Sequence, residues 1–203
     1  MKVAKKRLDR SIFHNPDVVE LAQLLLGKVI CTNIDGFYCE AMITETEAYS
    51  GENDKACHAH MGKFTKRTAT MYEEGGHAYV YLCYGIHHLF NIVSNVKGKA
   101  DAILIRSVEP LSGTKIMLER RNVKKSTPKV YAGPAKLSQA LGIDKSLNGV
   151  DLVNNEHIYL IDKGFVVEDF VKSCRIGIDY AEEDALLPWR FYISGNKYVS
   201  KYI

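Results

Sequence analysis

The stretch Val29-Ile-Cys-Thr-Asn-Ile-Asp-Gly-Phe-Tyr-Cys-Glu-Ala-Met-Ile-Thr-Glu-Thr-Glu-Ala-Tyr49 decides the fold class. Val29 to Thr32 is rich in β-formers, Asp35-Gly36 is a turn signal, and a long strand reads from Phe37 to Tyr49. The two runs form a hairpin. Outward from it, residues 78–83 and 88–96 read as strands around Gly85, and 102–108 as another after the turn Lys97-Gly98-Lys99. Residues 158–161 and 165–169 suggest a short hairpin around Lys163-Gly164, and 191–194 a late strand. Hairpins outnumber βαβ units, so the expected architecture is α+β, a curved antiparallel sheet flanked by helices.

Helices fill the gaps. Asn15-Pro16-Asp17 reads as a capped start for a helix over 16–26, which Gly27 ends. Residues 66–74 read weakly as a helix, 111–121 more firmly, and 134–141 opens on Pro134 and closes at Gly142. With no repeat and no Pro/Gly/Ser-rich linker, residues 1–203 are expected to form one domain.

The 203 residues are 46% hydrophobic and 25% charged, with 15 Gly and 5 Pro, which excludes disordered, collagenous and coiled-coil classes. Such a chain buries roughly 70% of its unfolded surface and needs no staple. Five cysteines without a CxxC pair suggest reduced thiols and an intracellular protein. The basic start leads into no apolar run, and no later run is long enough to span a bilayer. The net charge of +3 is unevenly spread. Lys2, Lys5, Lys6, Arg7 and Arg10 cluster at the start, and Lys115, Arg120, Arg121, Lys124, Lys125 and Lys129 in the middle. Both clusters suit either phosphate contacts or an ordinary solvated face.

Three segments carry chemistry. Alternation along 41–49 places Ala41, Ile43, Glu45, Glu47 and Tyr49 on one face, with two carboxylates at its end. One carboxylate could serve as a general base, or both could be ordinary solvent-facing acids. Tyr79-Val-Tyr-Leu-Cys-Tyr-Gly85 ends with Tyr84 at a turn, where burial is poor; it could stack on bases or wedge into a duplex, or its tyrosines could simply suit a strand. Cys57-His-Ala-His60 has no second pair at zinc spacing, and there is no HEXXH, GxGxxG or Walker motif, so neither metal nor nucleotide cofactor is expected.

In order along the chain stand Thr44-Glu-Thr-Glu-Ala-Tyr49, Asp54, His58, Met71, Tyr79-Val-Tyr81, Tyr84-Gly85, Asn91, Arg106 and Glu109-Pro-Leu111. Gly133-Pro-Ala-Lys-Leu137, Gln139-Ala-Leu141, Arg175-Ile-Gly-Ile178 and Pro188-Trp-Arg-Phe191 continue the series. Together they resemble the alkyladenine (3-methyladenine) DNA glycosylase family, over about Ala22 to Ser200.

The resemblance implies a monofunctional, cofactor-free enzyme of base-excision repair. It would flip alkylated purines (3-methyladenine, 7-methylguanine, and hypoxanthine or ethenoadenine if neutral bases are accepted) from double-stranded DNA and hydrolyse the glycosidic bond with water. It implies Glu47 as the general base, a choice over Glu45 that alternation cannot make, with Arg106 positioning a phosphate or the water. Tyr49, His58 and Tyr81 would wall the base pocket, Asn91 would exclude the 2-amino group of guanine, and Tyr84 would be the wedge. A monomer acting in cytoplasm or nucleoid, without membrane contact, is expected. Departures from the family pattern are Arg67-Thr68 for Arg-Asn, Gly75-Gly76 for Pro-Gly, His87 after the wedge turn, and an extended Lys97 to Lys99 loop. Two rivals remain: a glycosylase/lyase, for which Lys66 is too generic an amine, and a damaged-DNA binder without turnover, against which an intact Glu47 argues.

Overall fold

In the computed structural model, which describes residues 6–200, the 13-residue strand β3 (Phe37–Tyr49) organises the molecule. Asp35 and Gly36, both at positive φ, turn the chain from β2 (Val29–Ile34) straight into it, as the sequence signal predicts. The other strands are β1 (Lys6–Arg7), β4 (Ala78–Cys83), β5 (His87–Ser94), β6 (Asp101–Ser112), β7 (Ile158–Asp162), β8 (Phe170–Ser173) and β9 (Arg190–Ile193). All pairings are antiparallel, in the order β1-β7-β2-β3-β6-β5-β4, and the sheet stays open. One edge of β3 is shared: β2 pairs with residues 37–42, and β9, with β8 on its far side, pairs with Glu45–Glu47.

The β3–β6 ladder is irregular where the chemistry was expected. Ile43 pairs with Val108 and Glu45 with Ser107, leaving Thr44 unpaired; Thr46 then pairs with Ile105, leaving Arg106 unpaired. Two facing bulges reverse which side each strand presents. Ala41, Ile43 and Ala48 therefore pack in the same core, as do Ile103, Ile105 and Val108, and the Thr46 hydroxyl bonds Ala22 O on that side. The expected common face of Ala41, Ile43, Glu45, Glu47 and Tyr49 is thus overturned. Glu45 and Glu47 leave the core face that holds Ala41 and Ile43, and both are completely buried rather than at a solvated strand end.

The helices are α1 (Arg10–Phe13), α2 (Val18–Leu24), α3 (Thr114–Arg120) and α4 (Pro134–Leu141). Helix α2 lies over β3 and β6, and α4 over β5 and β6. Their fully buried Leu21, Ala22, Leu137 and Leu141 join the sheet's core, each leucine contributing about 1.5–3 kcal/mol. Helix α2 is capped by Asp17, which accepts from Val19 N and Glu20 N; Asn15 instead caps the preceding turn through Asp17 N. Pro134 opens α4 and Gly142, at φ +75°, closes it, as expected.

Three expected elements differ. Residues 66–74 hold only a 3-10 turn, Ala69–Tyr72, because the Thr65 and Thr68 hydroxyls bond nearby backbone and compete with a helix. Leu111 and Ser112 still belong to β6, and the helix starts only at Thr114, after Gly113 at φ +76°. Residues 165–169 form no strand: β7 pairs with β1 and β2, and the chain reaches β9 only at Phe170.

Candidate active site

A cleft of about 700 Å³ opens between the β4–β5 hairpin, the end of β3, and the loops around Gly133 and Gly177. Glu47 lies immediately behind its wall. The Glu47 carboxylate accepts from Tyr49 Oη at 2.8 Å and from Ile176 N at 2.7 Å, and pairs ionically with Arg106 Nη1 at 3.1 Å. All three partners belong to residues that line the cleft. Burial, and then the Glu47 charge, push the Tyr49 phenol well above its ordinary range, so its hydroxyl stays a donor.

Glu45 is placed differently. Its oxygens accept from Arg106 Nε at 3.0 Å, Arg190 Nε at 2.6 Å, Ser107 Oγ at 2.8 Å, and both Ser200 N and Ser200 Oγ at 2.7 Å. Burial alone would raise its pKa. The Arg106 and Arg190 guanidiniums and the Ser200 bonds outweigh burial and hold it below the usual carboxylate range. A carboxylate so fully engaged has no lone pair left for a substrate or water. Geometry therefore separates the two acids that alternation could not: Glu45 holds Arg106, and Arg106 holds Glu47.

The aromatic end of the cleft is built on neighbouring strands. Tyr79 and Tyr81 stand 5.4 Å apart between ring centroids, and His58 meets Tyr81 edge-on at 4.7 Å. His58 Nδ1 lies 2.9 Å from Tyr79 Oη, and Nε2 3.2 Å from Arg67 Nη2. A guanidinium only donates, so Nε2 accepts and Nδ1 carries the proton toward Tyr79. Burial, then the Arg67 and Lys63 charges, lower the His58 pKa to about 4, so the ring is neutral. Arg67 also sits 4.8 Å over the Tyr81 ring. Asn91, at the β5 position opposite Tyr79, directs its amide nitrogen at Tyr79 O and Leu89 O, so its oxygen is the polar atom left over.

Tyr84 and Gly85 form the two centre positions of the β4–β5 turn, both at positive φ (+51° and +72°). Gly85 takes that conformation freely, whereas a tyrosine there is strained. Tyr84 is nonetheless 91% exposed, flanked by the exposed Leu82 and Ile86. A strained, solvated aromatic at a hairpin tip gains nothing for the fold.

The structure thus gathers Tyr49, His58, Tyr81, Tyr84, Asn91 and Arg106 around one cleft, with Glu47 behind them. Sequence reasoning gave no role to Ile176 N, or to the pair that aims it. Arg175, wholly buried, donates to Asp54 at 2.5 and 2.8 Å and to Ala48 O at 2.9 Å, with Tyr49 and Trp189 stacked on its guanidinium. Cys57 is buried, and no group of three or more His, Cys, Asp or Glu among the described residues could hold a metal. No disulfide joins the five cysteines.

The remaining expectations divide. Lys2 and Lys5 lie outside the described residues. Arg7 bonds Asn155 O and stacks on Tyr159, and Arg10 bonds Gly75 O and Asp151, so both are spent internally. Arg120 is likewise bonded to Ile34 O and Ala140 O, and Arg121 to Val130 O and Gln139. Lys115, Lys124, Lys125 and Lys129 remain exposed. Gly75 is required where it stands, because a Cβ there would fall 2.3 Å from Phe13 O. The Lys97–Lys99 loop folds back, with Gly98 N on Tyr72 O and Lys97 near Glu73, while His87 joins the cleft wall.

Residues 12–197 match the model of the methylpurine-DNA glycosylase family. A protein of Clostridium perfringens strain 13 is 47% identical, covering 96% of this chain and 99% of its own length. Relatives in Natranaerobius thermophilus (44% identical; 96% and 98% covered) and Methanocella arvoryzae (43%; 93% and 94%) are similar over the same span. Each of the three carries a provisional assignment as a 3-methyladenine DNA glycosylase. The chain belongs to the methylpurine-DNA glycosylase family, whose members are hydrolases of N-glycosyl bonds.

Proposed function

We propose that this protein excises alkylated purines, 3-methyladenine and 7-methylguanine among them, from duplex DNA by base flipping and hydrolysis, as one catalytic unit over residues 1–203 working as a monomer. The observation that carries the reading is Glu47: wholly buried, fixed by two hydrogen bonds and an ion pair, and one hydrogen bond behind a cleft walled by Tyr49, His58 and Tyr81.

Each part of the cycle has a residue suited to it. Tyr84, exposed on a rigid turn, enters the duplex and occupies the space the flipped nucleotide leaves, offsetting part of the few kcal/mol that unstacking costs. The base stacks among Tyr49, His58 and Tyr81, and Asn91 stands against the 2-amino group of unmodified guanine. Glu47 takes a proton from water as the water attacks C1′ of the sugar. Arg106, shared between Glu45 and Glu47, orients that carboxylate and the phosphate or water beside it. The glycosidic electrons leave with the base. A cationic 7-methylguanine departs without help, whereas hypoxanthine needs a proton from a general acid. The sugar keeps the hydroxyl, and an abasic site remains. No lysine nucleophile is required.

Single-turnover incubation with duplexes carrying 7-methylguanine, 3-methyladenine or hypoxanthine tests the reading. Release of free base with an intact strand supports it. A chain that binds these duplexes yet releases no base is the damaged-DNA binder instead, and strand cleavage without added alkali would indicate a lyase.

A further inference from the structure

We propose that Ser200 is a positioning residue for Arg106, acting through Glu45, so that the end of the segment from Ser194 to Ser200 supports the reactive centre. Ser200 lies beyond residues 12–197, where the family model matches.

The chain returns to the bulge of β3 after β9 and is fastened along the way. Asn196 Nδ2 donates to Glu109 at 3.0 Å, Tyr198 O accepts from Thr44 Oγ1 at 2.8 Å, and Ser200 O accepts from Arg190 Nη2 at 3.0 Å. Thr44 is the unpaired bulge residue, so the segment docks on the irregularity that turns Glu45 away from the core. Ser200 then places one donor on each Glu45 oxygen: Oγ on Oε1 and N on Oε2, both at 2.7 Å.

A carboxylate offers about four lone-pair sites. Glu45 receives five donors: Arg106 Nε, Arg190 Nε and Ser200 Oγ crowd Oε1, and Ser107 Oγ and Ser200 N take Oε2. Without the Ser200 hydroxyl, Oε1 of this wholly buried carboxylate keeps only the two arginine Nε groups, which its charge then draws closer. A guanidinium is planar and rigid, so a shift of Arg106 Nε toward Oε1 also moves its Nη1, which now rests on Glu47 at 3.1 Å. That movement alters the contact between Nη1 and Glu47. Ser200 thereby decides how Arg106 is divided between the two acids.

The activity readout of this proposal rests on the glycosylase reading; a second readout does not. The Nε–H resonance of Arg106 is followed by NMR in the ligand-free protein for wild type, Ser200→Ala and Ser200→Thr, and the single-turnover rate and duplex affinity of each are measured on 7-methylguanine DNA. The expected result is that Ser200→Ala moves the Arg106 signal and slows release roughly tenfold at saturating protein, with duplex affinity unchanged. Ser200→Thr, which keeps both donors, restores both. An Arg106 signal indifferent to Ser200→Ala overturns the proposal whatever the activity. So does an affinity that falls while the saturating rate holds, because Ser200 would then be touching DNA. If no base is released even by wild type while the Arg106 signal still answers to Ser200, the glycosylase reading falls and the coupling stands.

Discussion

Glu45 and Glu47 are two residues apart on one strand and equally buried, yet the first accepts five hydrogen bonds and the second two, beside an ion pair to Arg106. In the proposed mechanism that difference divides a structural acid, Glu45, from the general base, Glu47. Glu47→Gln keeps the shape but removes proton acceptance, and excision should fall about 100- to 10,000-fold while lesion binding and melting temperature stay near wild type. Glu45→Gln should act first on stability, since it leaves two buried guanidiniums short of an anion, a loss of about 3–5 kcal/mol. Thermal unfolding alongside single-turnover assays distinguishes the two, and a Glu45→Gln protein as stable as wild type would contradict the division.

Tyr84 should separate binding from folding. With 91% of its surface exposed and φ at +51°, Tyr84→Gly removes strain and no packing, so stability should hold or rise by up to about 1 kcal/mol. Affinity for a lesion duplex, followed by fluorescence anisotropy, should fall. A large drop in melting temperature would make Tyr84 a structural residue.

His58 should leave a mark on acid stability. Its pKa is lowered from 6.5 to about 4 by burial first, then by Arg67 and Lys63. Between those values the unfolded chain takes up a proton that the folded ring refuses. Stability should therefore be unaffected by this group above pH 6.5 and decline by about 1–3 kcal/mol as the pH falls toward 4. Denaturant melts across that window should show a shallower slope for His58→Gln. Equal slopes would place the wild-type imidazole in water.

Salt dependence should sort the central basic cluster. Lys124 and Lys125 are exposed, and reversing their charge should lower the slope of log affinity against log salt by about 0.9 for each phosphate that is no longer neutralised. Arg120→Glu should instead destabilise the fold, because its guanidinium serves Ile34 O and Ala140 O. An unchanged slope in the lysine variants would leave that loop as plain solvated surface.

Local chemistry was legible where the partner was close in sequence. The bounds of β3, β4 and α4 follow from residues next to them: Asp35-Gly36, Tyr84-Gly85, and Pro134 with Gly142. The hairpin expected at 165–169 failed because Phe165, Val166 and Val167 carry strand-like side chains without a strand partner; Val167 packs against the core beside Gly27 instead. Alternation misplaced Glu45 and Glu47 because the bulges at Thr44 and Arg106 arise from the pairing of two distant strands, which no local pattern records. The aiming of Ile176 N by Arg175 and Asp54 was hidden for the same reason, with 121 positions between the partners.

Because β9, Arg190 and Ser200 all close on residues 45–47, the order of synthesis and the order of completion run opposite ways. The strands that carry Tyr49, Tyr79 and Tyr81 and the Tyr84 hairpin are synthesised long before the last clamp on the carboxylates. Until residues 190–200 have docked, the carboxylates of β3 lack the Arg190 and Ser200 bonds that arrange them. The reactive centre is the part finished last, and an interrupted chain is disarmed by its own topology.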